Sequence, residues 1–259
     1  MSLIEILDII GLVLFLTCWY GYTVFARSMA KKTECLSSVL IIYRIDWMRH
    51  LLERDNRILD AALMGNIERN INFFASTTLL IIAGALTAMA SATTLQKMTE
   101  AVSWIQPQSE AAIQFKLLFI CAILVFTFFK FTWSLRQYGF AGVMIGAAPN
   151  VEDSNATVKM KRAFARNAGK IIDQAMHNFN NGLRAYYFAL AALGWFVNAY
   201  VFVGLGMAVV YILYRREFHS RTLTMLKEGL SMSSYYLSLQ NEKKREEEKR
   251  EGEKTAQGL

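Results

Sequence analysis

Residues 177–214 read HNFNNGLRAYYFALAALGWFVNAYVFVGLGMAVVYILY, and the way they divide decides the fold. As a single helix, the apolar part from Ala185 to Tyr214 would be about 45 Å long, against a hydrocarbon core of about 30 Å. One crossing would therefore need strong tilt. Two crossings need a start near His177 and a turn near Asn198. That division carries Asn178, Asn180, Asn181 and Arg184 into or beside the membrane, and leaves Gly204 and Gly206 free to permit close packing.

Three apolar blocks precede this one, at about 3–25, 72–92 and 112–135. Hydrophobic residues make up 54% of the 259 residues and Pro occurs twice. The blocks are continuous rather than alternating, which favours helices over a β-barrel, because a membrane-buried backbone must satisfy its own hydrogen bonds. The first block contains Glu5 and Asp8, has no Lys or Arg before Arg27, and ends in no small-residue cleavage pattern. It reads as a retained crossing, not a signal peptide. The three Cys residues form no metal-binding or disulfide spacing.

Charge sets the orientation. Residues 1–26 hold no Lys or Arg, residues 27–71 hold eight, residues 94–111 only Lys97, residues 136–184 seven and residues 215–259 ten. By the positive-inside rule the N-terminus and the 94–111 loop lie in the periplasm, and the other three segments lie in the cytoplasm. A net charge of +7 is thereby assigned to cytoplasmic loops and anionic headgroups, with no nucleic-acid partner. An outside N-terminus and an inside C-terminus require an odd number of crossings, hence five, at about 3–25, 72–92, 112–135, 177–197 and 199–214. Four crossings with an outside C-terminus is the alternative. The expected architecture is an all-α polytopic membrane domain over 1–239, set in a bacterial inner membrane, with a charged, disordered cytoplasmic tail over 240–259.

Both long cytoplasmic loops read as helical. Ile41, Ile45, Met48, Leu52 and Leu59 keep helical spacing, and Arg49, Glu53 and Arg57 follow one another on a solvated face. Pro149 and Asn150 break the second loop, and a basic helix is expected from about Asn155 to His177. A shift of 112 residues places Asn66, Ile67, Ile71 and Phe74 on Asn178, Phe179, Leu183 and Tyr186. This is the pattern of a parallel internal duplication, with crossing, cytoplasmic helix and crossing in each half.

The candidate functional residues are polar groups at the cytoplasmic mouths of the crossings: Asp60, Asn66, Glu68, Arg69, Ser76 and Thr77 in one half, and His177, Asn178, Asn181 and Arg184 in the other, with Lys130 near the inner end of the third crossing. A charge at the bilayer centre costs at least about 2.5–3.5 kcal/mol, so such groups pair or line a wet cavity. Together they describe a polar vestibule with cationic walls, suited to an anionic solute or a lipid headgroup. Interfacial anchoring is the plainer reading for the Lys and Arg residues, and helix packing for Ser76, Thr77 and Thr78. Arg184 is expected to pair with Asp60 or Glu68. The Asp46–His50 and Asp173–His177 pairs have one-turn spacing, but the ligand density is too low for a metal site, and no metal or cofactor is expected. No nucleophile elbow or phosphate loop occurs, so no catalytic residue is assigned. Three functions fit: a transporter or channel for a small, anionic solute; a scaffold or regulatory subunit that docks a partner through its cytoplasmic helices; and a lipid-headgroup enzyme using Asp60, Glu68 or His177. The implied partners are membrane lipids, a second copy of the chain or another membrane protein.

Several motifs recur together: Trp19-Tyr20-Gly21-Tyr22, Tyr43-Arg44, Trp47-Met48, Asn56-Arg57-Ile58 with Asp60, Phe73-Phe74-Ala75-Ser76-Thr77-Thr78, Phe129-Lys130-Phe131-Thr132-Trp133-Ser134 followed by Arg136-Gln137-Tyr138, Gly182-Leu183-Arg184-Ala185-Tyr186-Tyr187, and Arg215-Arg216-Glu217-Phe218 with Ser220. In this combination, over about residues 8–225, the chain resembles the bacterial membrane family catalogued as domain of unknown function 599. The resemblance implies a multi-pass membrane protein and brings no activity, substrate or cofactor. Family members often carry a His-Pro pair at the turn after the Trp-Phe of the fourth crossing. Val197-Asn198-Ala199 stands there in this chain.

Overall fold

The computed structural model describes residues 3–30, 32–102, 105–150 and 156–232; the tail expected over 240–259 lies outside them. All regular structure among these residues is helical: α1 (Leu3–Met29), α2 (Leu36–Leu52), α3 (Ile58–Ala90), α4 (Ala92–Glu100), α5 (Glu110–Gly146), α6 (Val158–Ala192), a 3-10 turn (Leu193–Phe196) and α7 (Ala199–Phe218), with residues 221–232 again helical. Helix starts follow local chemistry. The Ser109, Thr157 and Asn198 side chains accept from the backbone N–H groups of Ala112, Met160 and Val201, at 3.2, 3.3 and 2.8 Å. Cys35 and Ser38 form a capping box at α2.

Four stretches are long and apolar enough to cross a membrane: Ile6–Ala26, Ile58–Ala90, Glu110–Gly146 and Ala199–Met232. This is a membrane protein with an all-helical fold. The C-terminal half of α6 does not meet the same measure, because Asn178, Asn180, Asn181 and Arg184 lower its hydropathy. It is nevertheless buried, with Ala185, Phe188, Ala189 and Ala192 in a core cluster.

The helices run beyond the apolar blocks in one systematic way. At about 1.5 Å per residue, the 33 residues of α3, 37 of α5 and 35 of α6 make rods of roughly 50–55 Å, well beyond a core of about 30 Å. Much of what reads as cytoplasmic loop is thus a continuation of the same helices. A separate cytoplasmic helix ending at His177 is not formed. No Pro interrupts 158–192, and the two glycines inside it serve contact rather than bending. A Cβ on Gly169 would sit 2.9 Å from the Ile45 Cα, and one on Gly182 would sit 2.6 Å from the Phe131 ring. The first half keeps a distinct α2, so the two halves do not share one element order.

The helices pack as a chain of neighbours: α3 on α5, α5 on α6, α2 on α6, α7 on α6, and α1 on α7. Two apolar clusters result. One surrounds Phe15, Phe188, Trp195 and Phe202, and the other surrounds Met48, Ile71, Phe131, Tyr138 and Ile172. In the first, Phe202 stacks on Trp195 at 4.7 Å and on Phe15 at 4.3 Å. Gly206 lets Phe15 approach, with the place of a Cβ 2.9 Å from that ring, whereas Gly204 faces open space.

The reversal between α6 and α7 is held by a polar lock. Lys116 is only 4% exposed and donates to the Gln108 side-chain oxygen and to the Trp195 carbonyl, both at 3.0 Å. Its Nζ lies 3.5 Å from the Asp8 carboxylate, which accepts the Trp195 indole N–H at 2.9 Å. The Gln108 amide donates to the Phe196 carbonyl at 2.6 Å. The 3-10 turn thereby has partners on α1, on α5 and on the segment just before α5. Asn198 caps α7.

Candidate functional site

Lys130, Asn181 and Arg184 come together. They line one rim of a cleft of about 430 Å³ between α1, α5 and α6, whose other walls are Leu16, Trp19, Tyr20, Thr23 and Phe126. The cleft exists because α1 packs along α7 and meets α5 and α6 chiefly through rings: Phe15 with Phe119 at 6.1 Å, and Trp19 with Phe126 at 5.7 Å and with Phe188 at 5.9 Å. It opens on the outer face of the bundle, where Leu16, Tyr20 and Phe126 are exposed.

The two cations differ in their partners. Lys130 lies over the Phe126 ring at 5.5 Å, and among the described residues no carboxylate stands within ion-pair distance of it. Arg184 is paired, but with neither expected partner. It lies 3.4 Å from the Glu217 carboxylate at the end of α7, with its guanidinium 5.5 Å from the Tyr22 ring centroid. Glu217 also accepts from the Ser37 N–H at 3.2 Å and the Ser37 hydroxyl at 2.7 Å, which ties α7 to the first turn of α2.

Asp60 is unavailable to Arg184 because it is fully buried at the start of α3, where it accepts from the Trp47 indole at 2.6 Å and from Arg54 at 2.7 Å. That corner is reinforced by Arg57, which donates to the Ala148 and Pro149 carbonyls. Since α3 packs on α5, while α7 packs on α1 and α6, the α3 candidates do not join the cleft. Asn66 accepts from Arg69, and both are exposed. Glu68 is half-buried and Ser76 is exposed. The Thr77 and Thr78 hydroxyls donate back to their own helix, at the Phe73 and Phe74 carbonyls.

The remaining α6 candidates lie N-terminal to Arg184 on the same helix. Asn178 is buried and donates to the Gln137 side chain at 2.7 Å and to the Gln174 carbonyl at 3.0 Å. His177 borders a small pocket with Ser37, Arg44, Asp173 and Glu217. Arg44 is ion-paired with Asp173. Burial pushes the Asp173 carboxyl above the ordinary carboxylate range, and the Arg44 and His177 charges pull it back. Asp46 goes to Arg49 and His50 to Glu53, so the two Asp–His pairs do not converge. Among the described residues no group of three or more His, Cys, Asp or Glu side chains is placed to hold a metal.

Sequence reading missed Tyr22, Ser37 and Glu217. Glu217 carried a signal: it is an acid set between Arg216 and Phe218 in a basic, aromatic helix end, where an anchor alone has no use for one.

The arrangement offers a half-apolar, half-cationic cleft facing outward, with one cation neutralised internally and the other not. Such a site can hold an anion attached to an apolar body. No match is found among curated proteins or solved structures. The family model described as "Protein of unknown function, DUF599" matches residues 10–222, in agreement with the motifs in α1, α3, α5, α6 and α7, and the chain belongs to that family.

Proposed function

We propose that the chain is a multi-pass protein of a bacterial inner membrane that takes an anionic amphiphile from the cytoplasmic leaflet into the α1–α5–α6 cleft. The observation that carries this reading is Lys130: an ammonium on a membrane helix, beside an apolar cleft, with no carboxylate partner among the described residues. A charge in that setting is costly unless it is paired, and a headgroup phosphate or carboxylate supplies the pair. Trp19, Tyr20, Phe126 and Leu16 supply the apolar wall for the attached chain. A path through the bundle axis fits less well, because the stacked rings of Phe15, Trp195 and Phe202 fill that region.

The test is lipid retention. Wild-type protein reconstituted in bilayers of mixed phosphatidylglycerol and phosphatidylcholine, then extracted gently, is expected to keep phosphatidylglycerol selectively by native mass spectrometry. Lys130→Gln is expected to reduce the cleft-bound fraction about tenfold, which corresponds to about 1.4 kcal/mol. Unchanged retention would sink the reading.

In the proposed orientation α1, α3, α5, the C-terminal half of α6 and α7 make five crossings, with a periplasmic N-terminus. Charge asymmetry supports this, as does the short turn that brings α7 back along α6. In a background with Cys18, Cys35 and Cys121 replaced, Thr99→Cys is expected to react with an impermeant maleimide from outside intact spheroplasts. Asp153→Cys and Gly258→Cys should react only after lysis. Labelling of Gly258→Cys from outside would reject the five-crossing arrangement.

A further inference from the structure

On the other side of α6 lies a groove of about 370 Å³ between α6 and α7, walled by Leu190, Leu205, Val209 and Ile212, with Tyr187 and Arg216 at its cytoplasmic end. Its lining is almost wholly apolar and suits a hydrocarbon chain. The same Tyr187 and Arg216 also border a smaller polar pocket of about 90 Å³, which contains Tyr22, Asn180, Arg184 and Glu217. Groove and pocket thus adjoin at Tyr187, Leu213 and Arg216, with the apolar lining on one side and Arg184, Glu217 and Asn180 on the other.

Two observations at the polar end point to an anion. Among the described residues the Tyr22 hydroxyl is buried with no hydrogen-bond partner, and Tyr22, only 5% exposed, borders the pocket. A buried hydroxyl left unpaired is costly, and a ligand oxygen removes that cost. The charges are also unequal: the pocket holds Arg184 and Arg216 against the single carboxylate of Glu217. Glu217 is engaged by Arg184 and Ser37, whereas among the described residues Arg216 has no ion-pair partner and meets Tyr187, its hydroxyl at 3.2 Å and its ring at 6.0 Å.

We infer that this groove is a second lipid site, holding one acyl chain of an anionic glycerophospholipid whose phosphate lies at Arg216 and Tyr22. A guanidinium recognises a phosphate through paired N–H donors, and a tyrosine hydroxyl adds a third donor. The lateral cleft and this groove have no lining residue in common; only the pocket at the groove's polar end shares Arg184 with the cleft.

The experiment counts lipids on the full chain. Protein in phosphatidylglycerol bilayers is extracted and examined by native mass spectrometry, with phosphatidylcholine bilayers and added inorganic phosphate as separate arms. Wild type is expected to retain two phosphatidylglycerol molecules, undisturbed by inorganic phosphate, and fewer of the zwitterionic lipid. Arg216→Gln should remove one, with at least a fivefold loss of the doubly loaded species. Ala208→Trp, which fills the groove without touching its charge, should do the same. Lys130→Gln should remove the other, so that failure of the cleft and failure of the groove give different patterns. Double loading that survives both Arg216→Gln and Ala208→Trp overturns the inference, as does equal retention of phosphatidylcholine.

Discussion

Lys116→Ala is expected to lower the stability of the purified protein by about 3–5 kcal/mol, the usual cost of stranding one member of a buried ion pair. For a chain of this size, at about 2–4 °C per kcal/mol, that is a fall in melting temperature of roughly 6–20 °C. Removal of the ammonium leaves three groups without their donor or counter-charge: the Asp8 carboxylate, the Gln108 side-chain oxygen and the Trp195 carbonyl. It also removes the cation from the face of the Trp195 ring, where it stands 5.3 Å from the centroid. Trp195 is the plate on which Phe202 stacks, so the damage passes directly into the α6–α7 reversal. The double variant Asp8→Asn, Lys116→Met should recover more than half of the loss, because the amide still accepts from the Trp195 indole and no charge is left unpaired. A Lys116→Ala protein that melts within a degree of wild type would show that the lock does not hold the hairpin together.

The existence of the hairpin was readable, while what holds it was not. The block from Ala185 to Tyr214 is too long for one untilted crossing, and Asn198, the one polar side chain between Arg184 and Arg215 that can cap, stands where α7 begins. Asp8 and Lys116 were both visible as charges near the outer ends of apolar blocks. Their pairing depends on α1 and α5 converging on the turn, a long-range fact with no sequence period. The full helix lengths were less readable. Hydropathy marks where a helix leaves lipid, not where it ends. The third apolar block ends at Leu135, and α5 itself continues to Gly146, with no Pro between the two.

The candidate site was readable only in part, because sequence spacing predicts neighbours along a helix and not between helices. Asn181 and Arg184 share one face of α6 at i, i+3, which spacing does predict. Lys130 joins them because Gly182 admits Phe131 and brings α5 close to α6, a contact made legible only by the fold. The α3 residues Asp60, Asn66, Glu68 and Arg69 are polar like the α6 set, but α3 packs on α5 and contributes no residue to the cleft. Composition at a helix mouth says that polar groups are tolerated there, not which mouth faces which.

Arg184→Ala is the second large effect expected. The guanidinium and the Glu217 carboxylate are 11% and 14% exposed, so the pair is largely desolvated, and loss of one partner should cost up to about 3–5 kcal/mol. Glu217→Gln should cost less, because the amide oxygen still accepts from Ser37 and only the charge on Arg184 is stranded. The two should not add. A double-mutant cycle is expected to give a coupling energy of about 1–3 kcal/mol, against near zero for Arg184 with Asp60, which is committed to Trp47 and Arg54. Arg184→Lys separates pairing from anchoring. An ammonium can snorkel to the interface as well as a guanidinium does, but it cannot both stack over the Tyr22 ring and reach Glu217 with a planar fork. The Lys variant should therefore recover less than half of the stability lost in the Ala variant, while keeping the anionic lipid that needs only a positive charge in the cleft. Full thermal recovery in the Lys variant, with no coupling to Glu217, would make Arg184 an interfacial anchor and leave the α7–α2 tie to Ser37 and Glu217 alone.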